Sequence, residues 1–463
     1  MTSPPSLRLS GRRPSVPALA ALTCLAVAAG LALRAPASAQ ASVFATGRVV
    51  VRFGSREGAV AASAASAPSS ERTTVLSLRR GEGMQHALKR LRRRRDVLWA
   101  EPDYVAHTSG TFVPDDVGAG ATPGGWQELQ WNLSGPFGIR APEAWSNLIA
   151  DGAPGGQGVT VAVLDTGVAY ANRGRFRRSP DFGRFQFVQG YDFVDHDPYP
   201  NDRNGHGTFV AGVIAEETNN HTGLAGIAYG ANIMPVRVLD TEGEGEASTI
   251  AEGVRYAVRH GARIINLSLE FSPGVTASDI PELIEALRYA HRRGVLVVAA
   301  AGNEGHAAIA YPARAPDVIS VGATTDTGCL AAYSNDGSGL TMVAPGGGPD
   351  ADLPGDPNCN PEAPGRDVFQ MTFVGGSVKR FGIPGGYEGT SMATPHVAAV
   401  AALVIASGVL GRHPTPAQIT ARLRATALKL GGGGDERLYG SGLLDAAAAT
   451  APGGPGAVGP KAG

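Results

Sequence analysis

Four side chains placed at the ends of apolar runs have the types needed to cleave an acyl bond. Asp165 follows the run VTVAVL and precedes Thr166 and Gly167. His206 lies in NGHGTFVAG, where Gly205 and Gly207 let backbone or substrate approach the imidazole closely. Asn303 lies in VVAAAGNEG, and its side-chain amide suits donation to a developing oxyanion. Ser391 lies in GTSMATPHVAAVAALV, a Gly/Thr turn that opens a helix. The positive end of a helix dipole and its free backbone donors favour a nucleophile whose attack creates negative charge nearby. Pro395, in the first turns of that apolar helix, is an unusual choice beside a plain capping serine. Each residue alone also reads as an ordinary cap or turn; the order Asp, His, Asn, Ser at four element ends is the signal. A GxSxG elbow with the order Ser, Asp, His, which a lipase or esterase would show, is absent.

Positioning these groups requires a scaffold, and residues 126–449 supply the pattern of one. Apolar runs at Val159–Leu164, Asn232–Val238, Arg263–Leu267, Val295–Ala299 and Val318–Val321 alternate with helical segments at Gly207–Glu216, Ser248–His260, Ile280–Arg293 and Ser391–Ala406. That alternation predicts an α/β fold with a mostly parallel sheet covered on both faces. Residues 40–108 read as a separate small α+β module. Its strand-like runs are Val49–Phe53, Thr74–Leu78 and Val97–Trp99, and its helix is Gly83–Arg95. Residues 109–125, rich in Gly, Pro, Thr and Asp, mark a linker and a cutting site. Residues 450–463 are expected to be disordered.

Residues 1–39 combine Arg8, Arg12 and Arg13 with an apolar run from Pro17 to Leu33 and the small residues Ala37, Ser38 and Ala39. This is the pattern of a secretory signal; the run is short for a membrane anchor. An extracellular or periplasmic protein, with no membrane attachment after signal removal, is the expectation. Cys24 falls in the signal, leaving Cys329 and Cys359, which an oxidising compartment permits to pair or leaves as two thiols. Residues 46–108 hold twelve Lys/Arg against six acids, whereas residues 109–463 hold 24 against 35. Opposite charges suit two pieces of one precursor that associate. The run Lys89–Arg95 lacks interleaved aromatics, so no nucleic-acid partner is expected.

On these motifs the sequence resembles the subtilisin-like serine proteases, and among them the thermitase-like members, over nearly all of residues 126–449; VRVLDTEGEG, IINLSLE, Tyr311–Ala313 and YGSGLLDA match as well. The resemblance implies an α/β/α sandwich and an endopeptidase acting on polypeptides through an acyl-enzyme. In it Ser391 attacks, His206 relays the proton, Asp165 orients the imidazole and Asn303 binds the oxyanion. It implies that Gly243, Glu244 and Gly245, with Ser268, Leu269 and Glu270, pair with an extended substrate, and that Ala301 and Gly302 line the cleft. It also makes residues 40–108 an inhibitory prodomain, a self-processing partner whose end, in LWAEPDYVAH, would lie in the cleft, and a monomer the expected state. Structural calcium is implied at Gln130, Asp181, Thr218, Asn220, Thr222 and Leu224. A second calcium is implied at Asp192, Asp197 and Asp202, which read equally as a solvated acidic loop. Glu270 departs from the family's usual glycine and faces a cluster of Glu242, Glu244 and Glu246, which predicts a preference for basic side chains two to four residues before the cut. A catalytically silent peptide-binding member is the alternative; all four catalytic positions are filled.

Overall fold

The computed structural model of the chain describes residues 44–54, 72–79, 82–104, 111–184, 186–431 and 435–457. The secretory-signal segment and residues 458–463 of the expected disordered tail lie outside them; residues 450–457 are ordered against that expectation, because Arg422 donates to the Ala451 and Pro455 carbonyls.

Strand β1 (Phe44–Phe53) pairs antiparallel with β2 (Arg72–Ser77) and with β3 (Val97–Tyr104), giving the order β2-β1-β3. Period-two alternation puts Val49 and Val51 on one face, and a register shift opposite Arg52 and Phe53 brings both Val97 and Ala100 of β3 to it; there Ala87, Leu88 and Leu91 of helix α1 (Met84–Arg92) seal a small core. On β2 and β3, Val75 and Trp99 remain exposed at 45% and 38%.

The second body contains a seven-stranded, wholly parallel sheet in the order β10-β9-β8-β7-β4-β6-β5. Its strands are β4 (Thr160–Asp165), β5 (Tyr191–Asp192), β6 (Asn232–Arg237), β7 (Ile264–Leu267), β8 (Leu296–Ala300), β9 (Val318–Thr324) and β10 (Met342–Pro345). Short helices α2 (Trp126–Leu129) and α3 (Trp131–Ser134) lead into α4 (Ala141–Ala150), and α5 (His206–Ala215), α6 (Ala247–Arg259), α7 (Pro281–Arg292) and α8 (Thr390–Ser407) follow. An antiparallel hairpin, β11 (Thr372–Val374) and β12 (Ser377–Gly382), precedes α8, and α9 (Pro416–Thr426), α10 (Glu436–Tyr439) and α11 (Ala446–Thr450) close the chain.

Alternate residues of each strand go to opposite cores. Val161, Val163, Ile264, Leu296 and Val298 pack with Phe209, Val213 and the Val/Ala face of α8. Ala162, Leu164, Met234, Val236, Ile265 and Val297 pack with Ile250, Val254, Leu283 and Leu287 of α6 and α7. The result is a three-layer sandwich with the parallel sheet buried on both sides. Helix α8 is long and apolar enough to cross a membrane, yet 78% of it is buried, as a core helix apolar on every side must be.

Candidate active site

Asp165 is the last residue of β4 and is fully buried. Its Oδ1 accepts from the Thr166 amide and from His206 Nδ1, both at 2.7 Å. His206 opens α5, with Gly205 before it at φ 112°. A side chain at position 207 would collide with the Gly167 carbonyl and press on Asp165, so glycine there lets the helix start against the strand end. Burial opposes the imidazolium, but the charge and hydrogen bond of Asp165, with the charge of Asp202 added, outweigh it and raise the His206 pKa above its ordinary value.

Asp202 ties these two elements together. Its Oδ1 accepts from Thr166 Oγ1 (2.9 Å), the Asn204 amide (2.9 Å) and the Gly205 amide (3.0 Å). Its Oδ2 accepts from the Thr208 amide (3.0 Å) and hydroxyl (2.5 Å). The carboxylate is fully buried and accepts five donors from the protein. Asp192 is likewise engaged by the Val194 and Asp195 amides and by the buried guanidinium of Arg237 at 2.9 Å. Asp197 Oδ1 takes the Tyr199 amide. Protein donors and an arginine thus serve Asp202 and Asp192, while Asp197 takes a single backbone amide.

Ser391 sits at the second position of α8. Pro395 lacks an N–H, so the Ser391 carbonyl four residues earlier has no intrahelical donor. The hydroxyl of Ser268, just past β7, supplies one at 2.8 Å, and Ser391 Oγ donates back to the Ser268 carbonyl at 3.2 Å. The turn that carries Ser391 is thereby fixed to the sheet edge. Its hydroxyl bonds to that carbonyl rather than to His206, and such a contact commonly tightens only with substrate present. His396, on the same helix, is a structural residue: burial lowers its pKa to about 4, Nδ1 donates to the Met392 carbonyl, and Nε2 accepts from Asn132 Nδ2.

Asn303 follows β8. Its Oδ1 accepts from the Thr390 amide (2.8 Å) and hydroxyl (3.0 Å), which fixes the amide with its NH2 on the other side. There Nδ2 donates to Glu270 Oε1 at 2.9 Å, and the Asn303 backbone amide donates to Glu270 Oε2 at 3.0 Å. Of the cleft-lining residues, Ser268, Leu269 and Ala301 are buried, and Gly302 adopts φ 115° beside Thr390. The loop with Gly243, Glu244 and Gly245 is pinned by Asp240, whose Oδ1 accepts the Glu242 and Glu244 amides, and it joins the histidine side through Asn204 Nδ2 and the Thr241 carbonyl at 2.9 Å.

Among the described residues no three His, Cys, Asp or Glu side chains converge as a metal cluster, so an oxygen site must draw on amides and carbonyls as well. The loop after α5 meets part of that requirement. Asp181 Oδ1 accepts from Asn220 Nδ2 and Oδ2 from the Leu224 amide, and the Thr222 amide donates to Asn220 Oδ1. Thr218 Oγ1 takes the Gly226 amide. Gln130 lies against the same loop, with both ends of its amide bound to the Ala225 backbone, at 2.9 and 2.8 Å. The sequence reading missed Asp116, a fully buried carboxylate that accepts the Asn219 and Asn220 amides. Burial pushes Asp181 up to about 7, and the charges of Asp116 and Glu217 add to the rise. Two buried carboxylates without an ion-pair partner among the described residues fit a hard cation. Cys329 and Cys359 form a disulfide, with Cα atoms 4.9 Å apart.

The sequence profile described as the subtilase family matches residues 156–442. Subtilisin Savinase of Lederbergia lenta is 38% identical over 328 residues, covering 70% of this chain and 99% of its own length. Thermitase of Thermoactinomyces vulgaris is 37% identical over 300 residues, covering 65% of this chain and 90% of its own. A solved protease of Pseudoalteromonas arctica PAMC 21717 superposes with a TM-score of 0.58 at 30% identity, over 73% of this chain and 99% of that one. With a matching sandwich, matching motifs and relatives of this closeness, the chain belongs to the subtilase family and is a serine endopeptidase.

Proposed function

We propose that the chain is made as a secreted, self-processing precursor, residues 1–39 being the signal, and hydrolyses polypeptides through Ser391, His206 and Asp165. The observation that carries the reading is the 2.7 Å contact of buried Asp165 with His206 Nδ1. It leaves Nε2 as the basic nitrogen, the tautomer required to take a proton from a serine. Ser391 Oγ attacks the scissile carbonyl as its proton passes to His206; Asp165 stabilises the imidazolium. The carbonyl oxygen becomes an oxyanion, received by the free Nδ2–H of Asn303. His206 returns the proton to the leaving amine, and a water repeats the sequence on the acyl-enzyme. The segments 243–245 and 268–270 present edges for an extended peptide.

Residues 40–108 act as the inhibitory prodomain, with cleavage between residues 107 and 125. The exposed Val75 and Trp99 on one sheet face supply an apolar docking surface. Calcium is held by Asp116, Asp181, Asn220 and the carbonyls of the 218–224 loop, where its charge balances two buried carboxylates. A serine-directed fluorophosphonate tests the assignment: one covalent adduct per mature chain, mapped to Ser391, is expected, and an unmodified Ser391 in enzyme that degrades casein would remove it.

A further inference from the structure

The carboxylate of Glu270 grips Asn303 through two donors at once, the side-chain Nδ2 and the backbone amide. Thr390 holds the opposite end of the same side chain. Only one Nδ2 hydrogen then remains for the oxyanion, and its direction is set by two rigid neighbours, the end of β7 and the start of α8. A negative group on the NH2 that must receive a second negative charge is an unfavourable arrangement for catalysis unless something offsets it. Among the described residues neither Glu270 nor neighbouring Glu304 has an ion-pair partner to do so. Burial raises the Glu270 pKa, and the charge of Glu304 adds to that rise against the pull of Asn303. The residue whose carbonyl oxygen meets Asn303 carries its own side chain one Cα away, so a lysine or arginine there can reach the carboxylate that touches the same amide.

We propose that Glu270 is a positioning residue for the Asn303 amide and makes hydrolysis selective for a cationic side chain on the residue that donates the scissile carbonyl. The proposal deepens the function above and rests on the assignment of Ser391 and Asn303. It places the selectivity of Glu270 at the cut itself, closer than the two to four residues upstream expected from sequence.

The test uses mature wild-type enzyme and E270Q, with active sites counted by fluorophosphonate labelling. Two peptides differ only in lysine or norleucine at the residue before the cut. Wild type is expected to prefer lysine by about tenfold or more in kcat/KM, with a substantial part in kcat and with the preference shrinking at high salt. E270Q keeps an acceptor for Asn303 without the charge, so the preference collapses while kcat on the norleucine peptide rises. E270A, lacking the grip as well, lowers kcat on both peptides relative to E270Q. Equal kcat/KM for the two peptides with wild type overturns the proposal, whether or not the variants mature, as does a preference retained by E270Q. Wild type that turns over peptide without labelling at Ser391 counts against the underlying assignment instead.

Discussion

Three contacts define the residue scale, and each yields a measurable consequence. Ser391→Ala removes the nucleophile but none of the core packing, so it should fold like wild type with kcat lower by roughly 10⁶, the size known for the triad of the related subtilisin. Asn303→Ala deletes one oxyanion donor, and the loss recorded for the equivalent subtilisin donor, about 10²–10³ in kcat, is the expectation here. Because Asp165 and Asp202 raise the His206 pKa, the acid limb of kcat/KM lies above the ordinary imidazole value, with activity falling as pH drops and the base takes up its proton. The sign for stability is the reverse. A raised histidine pKa favours the fold fully below the unfolded value, and that contribution fades as pH rises through the folded one. Asp165→Asn should lower the limb along with kcat; a pH–rate profile of the variant's residual activity with the limb unmoved would contradict the electrostatic origin.

At the scale of elements, the site is an intersection of strand ends with helix starts, and clamps distant in sequence hold it. Asp202 joins β4 to α5, Ser268 joins β7 to α8, and Asp116 joins the chain before α2 to the loop after α5 across 103 residues. Bound calcium at a hundredfold excess over its dissociation constant adds about 2.7 kcal/mol of stability. Chelator should therefore lower the melting temperature of wild type, and Asp116→Asn should melt lower and respond less to chelator; calorimetry that finds both proteins indifferent would remove the metal. The disulfide closes a 30-residue separation, for which chain entropy gives roughly 3–4 kcal/mol. Paired Cys329→Ser and Cys359→Ser changes should cost an amount of that order in denaturant unfolding.

The long apolar strands were legible because a buried parallel strand is a continuous apolar run. Thr160–Asp165 lies within one residue of its expected place. Tyr191–Asp192 is too short to carry a pattern, and Met342–Pro345 is hidden by its Gly- and Pro-rich flanks. Ser391, His206, Asp165 and Asn303 were readable because their motifs are local. Asp116 and the true surroundings of Asp202 and Asp192 were not, because a carboxylate's partner is decided by what the fold brings to it. Gln130 is a further case: the fold brings both ends of its amide to the Ala225 backbone, a pairing no local motif announces.

For the whole molecule, residues 46–108 are basic and residues 109–463 acidic, and the proposed processing has these two parts associate before they separate. Ionic strength should weaken that association, since complementary charge steers and holds it. If Ser391 cleaves its own precursor, intact mass spectrometry of wild type beside Ser391→Ala, each expressed from the full sequence, will show it. Wild type is expected to lose residues up to a point between 107 and 125, while Ser391→Ala keeps residues 40–108. Identical processing of the two, in a host lacking proteases able to make that cut, would contradict it.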